Sequence, residues 1–166
     1  MALEIERKFL VVGRPWEAVP GELLCQGYLA KGGVTVRVRR GDARAWLTVK
    51  GRSDAAGLSR AEFEYEIPEA DAEAMMDLCA DAPISKRRHR IPSGKHVWEI
   101  DVFEGENLGL VVAEIELGAE DEDFLRPAWL GREVSAEVQY RNSALAKHPW
   151  KDWTAAERGA GAAENQ

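Results

Sequence analysis

Charged and apolar residues alternate with period two in one segment after another of this 166-residue chain, and within most segments the charges share one sign. The opening MALEIERKFLVV sets the pattern. Glu4, Glu6 and Lys8 occupy one register, and Leu3, Ile5, Phe9 and Val11 the other, with Arg7 the exception. Period two marks a β-strand with two unlike faces. Two arrangements satisfy such a strand. In one, the apolar face packs on a core and the charged face meets water. In the other the sheet is turned inside out, with charges lining a polar interior and helices covering the apolar face. One strand does not choose between them.

The pattern recurs. TVRVRR sets Arg37 and Arg39 against Val34, Val36 and Val38, and WLTVKG sets Trp46, Thr48 and Lys50 against Leu47 and Val49. EFEYEI sets Glu62, Glu64 and Glu66 against Phe63, Tyr65 and Ile67. ISKRRHRI carries Lys86, Arg88 and Arg90 in one register. WEIDVF sets Glu99 and Asp101 against Trp98, Ile100 and Val102, and VVAEIELG sets Glu114 and Glu116 against Ala113, Ile115 and Leu117. LCQGYLAKGG, with Gln26 and Tyr28, is a further strand closing on a glycine turn.

GDARA, GRSDAAGLSR and RIPSGKHV have the turn chemistry of hairpin loops. PEADAEAMMDLCA reads as a helix with Met75, Met76, Leu78 and Cys79 on its apolar side. EDEDFLRPAWLG reads as a short helix broken at Pro127, and SAEVQYRNSALAKHP as a helix ending before Pro149. Many strands, short turns and few helices predict an all-β-like (α+β) chain. The expected form is a closed antiparallel barrel with a polar charged interior and helices packed outside. Closure would also remove the exposed strand edges. One domain is expected over residues 1–153, followed by a flexible tail at 154–166.

The net charge of −7 gives no general pull toward nucleic acid or anionic membrane. No apolar run is long enough to span a bilayer and the N-terminus is not a signal peptide, so a cytoplasmic location is expected. Cys25 and Cys79 form no metal or redox spacing, and His89, His96 and His148 show no ligand spacing. There is no P-loop, nucleophile elbow or zinc motif.

A face kept for solubility would mix its signs. Here the signs are sorted by strand, and like charges repel most in an enclosed interior. Something bound must offset that repulsion. Carboxylate pairs suit a hard divalent cation, and arginine forks and lysine ammonium groups suit phosphate oxygens. One cavity holding both suits a metal-bound polyphosphate, which favours the inside-out barrel.

The ordered set E-x-E-x-K (Glu4, Glu6, Lys8), QGYL (26–29), VRVR (36–39), LTVKG (47–51), EFEYEIP (62–68), SKRRH (85–89), WEIDVF (98–103), AEIEL (113–117) and YRNSALA (140–146) resembles the CYTH superfamily, the triphosphate tunnel metalloenzymes. The resemblance runs from Met1 to about Trp150 and is strongest to the compact bacterial inorganic triphosphatases. It implies an eight-stranded tunnel with the 140–146 helix near one end. It also implies hydrolysis of tripolyphosphate to pyrophosphate and phosphate with Mg²⁺ or Mn²⁺. Carried over by motif, Glu4, Glu6, Glu114 and Glu116 would face the metal, forming the catalytic set together with Lys8. Lys8, Arg37, Arg39, Lys50, Lys86 and Arg88 would bind the triphosphate, with Glu62, Glu64 and Asp101 supporting the substrate site. Arg90 and Glu99 share these registers, and Glu66 is expected at the periphery. The implied partner is a small triphosphate, with neither nucleic acid nor membrane. Other activities compatible with the scaffold are thiamine triphosphate hydrolysis, class IV-type adenylyl cyclisation, and polyphosphate or nucleotide-triphosphate binding without catalysis.

Overall fold

Nine strands form the framework of the described residues: β1 (Ala2–Val11), β2 (Gly21–Ala30), β3 (Thr35–Arg40), β4 (Ala45–Lys50), β5 (Ser59–Ile67), β6 (Ile84–Ser93), β7 (His96–Phe103), β8 (Val111–Glu116) and β9 (Leu130–Glu133). Three short helices complete it: α1 (Glu69–Asp77), α2 (Asn142–Lys147) and α3 (Ala155–Arg158). The structure is a computed structural model and describes residues 2–159. The sheet runs β5-β4-β3-β2-β6-β7-β8-β1-β9, and β5 also pairs with β1. That pairing closes eight antiparallel strands into a barrel with β9 as an extra strand. The closing strand divides its second edge. Ala2 to Ile5 pair with β5, whereas Phe9 and Val11 pair with β9.

Tight turns hold the hairpins in register. Gly94 adopts φ +61° between β6 and β7, where only glycine is unstrained. Lys50 faces Glu62 across β4–β5, and Arg88 faces Asp101 across β6–β7. Alternation therefore turns the charged registers of the barrel strands toward the inside, apart from strand-end residues such as Glu66.

The inward row changes character along the tunnel. After Lys8 comes Leu10, next to Glu114 comes Val112, beyond Asp101 comes Phe103, and before Lys86 comes Ile84. These four apolar residues form one buried cluster with Tyr140, Leu145, Trp150 and Trp153 from the C-terminal segment. One end of the tunnel is thus stoppered by an apolar core that includes α2. On the outside, Ile5, Phe9, Trp98, Ile100, Ala113 and Ile115 pack under Phe124, Trp129 and Leu130. Arg7, the exception in the first alternation, also points outward. Its guanidinium bonds Glu133 of β9 at 2.9 and 2.5 Å and lies over the rings of Phe9 and Phe124.

α1 covers Val38 and Ala45 through Ala72, Met75 and Met76. Its acidic first turn, Glu69 and Asp71, complements the helix dipole. Gly27 lets the chain after α1 approach β2, because a Cβ there would stand 2.7 Å from Cys79 Sγ. Cys79 itself falls just beyond α1 rather than on it.

Three expectations need correction. Residues 120–131 hold no helix. An extended path around Pro127 lets Phe124, Trp129 and Leu130 all bury on the barrel wall, and it ends in β9. The helix expected from 135 to the residue before Pro149 is broken. A 3₁₀ turn at Val138–Tyr140 and α2 flank Arg141, which is extended (ψ 139°), so Tyr140 can enter the stopper while Asn142 faces the tunnel. Helices do not cover the whole apolar exterior either: Tyr65 is 62% exposed and Phe63 lies open beside it. Of the expected tail, residues 155–158 form α3, capped by the Thr154 hydroxyl, and 160–166 lie outside the described residues. No helix among the described residues is long and apolar enough to cross a membrane.

Val38 is fully buried under α1. Val38→Asp should cost at least ~3 kcal/mol of stability, since it buries a charge without a partner. Tyr65→Ser, on the uncovered face, should cost less than about 1 kcal/mol. Denaturant melts of the two variants measure both; equal losses would contradict this inside–outside assignment.

Candidate functional site

The barrel encloses a cavity of about 300 Å³, walled by basic and acidic residues in near-equal numbers and few apolar ones. The structure gathers the sequence-predicted residues here: Glu4, Glu6, Lys8, Arg37, Arg39, Lys50, Glu62, Glu64, Lys86, Arg88, Glu114 and Glu116 all line it. Arg90 and Glu99 line it as well, Arg90 half-exposed and bonded to Glu22 and Glu99. Glu66 lies outside and pairs with Arg44. Asp101 is set apart, because it is fully buried behind the wall rather than facing the cavity.

Most cations along the tunnel can be traced to a partner. Asp101 takes Arg88 through two bonds, Nε at 2.8 Å and Nη2 at 2.9 Å, and Lys86 Nζ at 2.7 Å. Burial opposes its ionisation, but Arg88 and Lys86 hold its carboxyl far below the usual range. The same carboxylate, against the cost of burial, keeps Arg88 firmly charged. Lys86, 1% exposed, shares an anion already engaged by Arg88, and its burial pushes the ammonium down to about 7. Lys50 Nζ lies 2.9 and 3.0 Å from the Glu4 oxygens and 3.2 Å from Glu62. Burial alone would raise the Glu4 carboxyl, yet Lys50 holds it below its ordinary value. Lys8 Nζ is 3.3 Å from Glu114. Arg37 reaches Thr48 at 3.3 Å and Glu64 at 3.5 Å. Arg39 has no carboxylate; its Nε donates to Gln26 Oε1 at 2.9 Å, and burial, then Arg37 and Arg88, push it down to about 9.

Glu6 is the opposite case. Among the described residues its side chain has neither hydrogen bond nor ion pair. Burial first, then the charges of Glu114 and Glu4, push its carboxyl up to about 8, with Lys50 and Lys8 opposing. Glu116 is raised by burial, Glu4 and Glu99. No group of three or more carboxylate, imidazole or thiol side chains among the described residues forms a ready-made metal cage. Nevertheless the donor set fits a hard cation. Four carboxylates adjoin on β1 and β8 (Glu6 opposite Glu116, Lys8 opposite Glu114), two of them lack partners, and lysines stand in beside the others.

Several wall residues were not singled out from sequence. Asn142 Oδ1 accepts from Lys86 Nζ at 2.8 Å and from Gln26 Nε2 at 3.1 Å, tying the start of α2 to the tunnel. Arg60, Arg141 and Ser143 also line the cavity. Arg60 shares the register of Glu62 and Glu64, so alternation could have found it. Arg141 and Asn142 lie outside any period and left no such signal.

Known proteins resemble this chain in the same regions. The CYTH domain pattern matches residues 2–147. An inorganic triphosphatase of Acetivibrio thermocellus is 44% identical over 156 residues, covering 92% of this chain and 99% of that protein. An inorganic triphosphatase of Nitrosomonas europaea is 34% identical over 149 residues, covering 86% of this chain and 96% of that protein. A crystal structure of an inorganic triphosphatase superposes with a TM-score of 0.63 at 30% identity, covering 88% of this chain and 95% of that one.

The Glu6 carboxyl makes metal-free stability depend on pH with a definite sign. Near pH 4.5 the unfolded carboxyl begins to ionise while the buried one stays neutral. Stability therefore falls as pH rises from there to about 8, and the full penalty persists above. In chelator, Glu6→Gln should melt close to the wild type at pH 4 and several degrees above it at pH 9. Coincident melting at pH 9 would mean that Glu6 carries no buried charge.

Proposed function

Because the chain belongs to the CYTH domain family, we propose that it hydrolyses inorganic tripolyphosphate to pyrophosphate and phosphate inside its tunnel, with Mg²⁺ or Mn²⁺. The observation that carries this reading is the cavity itself. At about 300 Å³ it sits at the small end of ligand pockets, roughly 300–1,000 Å³, and most of its wall positions are ionic. Such a space favours a compact, highly charged chain over a substrate with a large base.

Glu4, Glu6, Glu114 and Glu116 are the carboxylates that would hold the divalent cation. Bound there, it would neutralise phosphate charge and lower the pKa of a coordinated water. Lys8, Arg37, Arg39, Lys50, Lys86 and Arg88 bind the oxygens of the chain. They also spread the charge that develops as the phosphoryl group passes to water. Their contribution is positioning and electrostatics, so no covalent intermediate is required. Glu62 and Glu64 hold Lys50 and Arg37 in place, and Asp101 aims Arg88 and Lys86 into the cavity from behind. The stopper at one end keeps bulk water out of that part of the tunnel.

Activity should require a divalent metal. EDTA should abolish phosphate release, Mg²⁺ or Mn²⁺ should restore it, and Glu116→Gln should mimic chelation while keeping the fold. Full turnover by the metal-free protein would remove the carboxylates from this role.

Parallel assays with tripolyphosphate, ATP and thiamine triphosphate identify the substrate. Tripolyphosphate should give a kcat/KM at least about tenfold above the others. Cyclic AMP from ATP, or a better kcat/KM with thiamine triphosphate, would overturn the assignment. Arg39→Ala should lower kcat/KM for tripolyphosphate about a hundredfold or more without lowering Tm, because it removes a phosphate contact and relieves crowding by Arg37 and Arg88.

A further inference from the structure

We propose that Arg60 and Arg141 form an additional anion subsite on the Glu4 side of the tunnel, which takes one tetrahedral phosphate group. That group is the end of an inorganic polyphosphate chain or released orthophosphate. As a site for phosphate ends, the inference rests on the triphosphatase reading; as a site for a phosphate oxyanion, it is testable on its own.

The starting point is the accounting of tunnel cations. Lys8, Arg37, Lys50, Lys86, Arg88 and Arg90 each have a carboxylate within 3.5 Å. Arg141 has no side-chain hydrogen bond or ion pair among the described residues. Arg60 sits opposite Glu4 in the β1–β5 register. Its one contact there is Nε at 3.4 Å from Glu4 Oε2, an oxygen that Lys50 already holds at 2.9 Å. Most of its fork therefore remains without a partner. If Glu4 turns to a cation, even the long contact weakens.

The two guanidiniums also face each other's charge. Burial, followed by the charge of Arg60, holds Arg141 below its ordinary value. Arg60 is not a free surface side chain, being 20% exposed. Two half-buried like charges at one wall are costly without an anion between or beside them.

Placement agrees with this. Both residues line the main cavity and also a small one of about 20 Å³, which they share with Glu4, Glu6 and Lys8 and with Ser53, Gly57, Leu58 and Ser135. That space is enough for about one water. The pair therefore stands next to the β4–β5 loop, beside Glu4, Glu6 and Lys8 and away from the cations on β3 and β6. The break at Arg141 is what puts it there: a continuous helix over 138–147 would not turn Arg141, Asn142 and Ser143 toward the cavity together. A planar five-donor fork suits a tetrahedral oxyanion, which two forks can grip from two sides.

Calorimetry in chelator on the full chain would test the subsite, titrating orthophosphate, pyrophosphate and tripolyphosphate into the wild type, Arg60→Ala, Arg141→Ala and Arg141→Lys. Arg87→Ala, which removes a surface charge paired with Glu104, controls for net charge. Tripolyphosphate affinity should fall at least tenfold in both alanine variants, recover in part in Arg141→Lys, and stay within twofold in Arg87→Ala. Thermal melts should show no loss of Tm in the alanine variants. Parallel loss of orthophosphate affinity identifies a single free phosphate as an occupant; loss confined to the longer anions identifies the chain end. Tripolyphosphate and orthophosphate binding within twofold of wild type in both alanine variants would overturn the subsite, and so would an equal loss in Arg87→Ala. Should an alanine variant fail to fold, Arg60→Lys and Arg141→Lys carry the same comparison. Wild-type protein that binds tripolyphosphate but releases no phosphate with metal would overturn the proposed function and leave the subsite standing.

Discussion

The buried Asp101 carboxylate is the interaction on which the tunnel's arrangement of charge depends. It fixes Arg88 through two bonds and Lys86 through a third, from a position no solvent reaches. Arg88 also reaches Glu99 at 3.3 Å, but Lys86 has only the shared Asp101 and Arg39 has no carboxylate, so this wall keeps surplus positive charge facing the cavity. The same logic holds on the opposite wall with the signs exchanged. There Lys50 is shared by Glu4 and Glu62, and Glu6 has no counter-charge of its own. The interior is thus under-neutralised on both sides, negative near β1 and β8, positive near β3 and β6. Removing one buried partner leaves an uncompensated charge, which is far costlier than removing the pair. Asp101 thus holds Arg88 and Lys86 in place without itself lining the cavity.

Much of this was legible in the sequence, and the reason is geometric. Period two assigns a residue to a face with no knowledge of its neighbours, so Glu4, Arg39, Glu64 and Glu114 could be placed inside once inside was known to be polar. What alternation cannot give is depth. Asp101 shares the register of Glu99, yet one faces the cavity and the other lies behind it, because barrel curvature and the Arg88 fork decide that. Nor can it mark where the inward row stops being charged. Leu10, Val112, Phe103 and Ile84 continue the same registers as an apolar stopper, and only packing against Tyr140 and Leu145 reveals their purpose.

The least legible segments were those whose conformation is set by distant surfaces. Residues 120–131 carry acids and a proline, a composition that reads as a broken helix. Burial of Phe124, Trp129 and Leu130 against Phe9 and Trp98 outweighs that local preference. Residues 138–147 do have helical propensity, but Tyr140 and Asn142 must go to different places, one to the apolar stopper and one to Lys86. The chain resolves the conflict by extending at Arg141. Non-periodic residues reach the cavity by such breaks, which is why Arg141 and Asn142 escaped a reading built on period.

Closure of the barrel lets one chain hold so unfavourable an interior. A one-residue slip in any strand would carry its charges into the outer packing and its apolar side chains into the tunnel. In an open sheet the edge strands could relieve internal repulsion by such a slip. Here every barrel strand is held on both sides, and β1 divides its second edge between β5 and β9. The contacts that resist slippage, Phe9 with Trp98 and Val38 with Ala72, lie on the outer face. Stability is therefore gathered at odd positions of β1 and at the stopper, while the even positions from Glu4 to Lys8 are free to remain electrostatically strained. That separation by parity allows an acid such as Glu6 to stay half-buried in the tunnel beside two others without unfolding the strand that carries it.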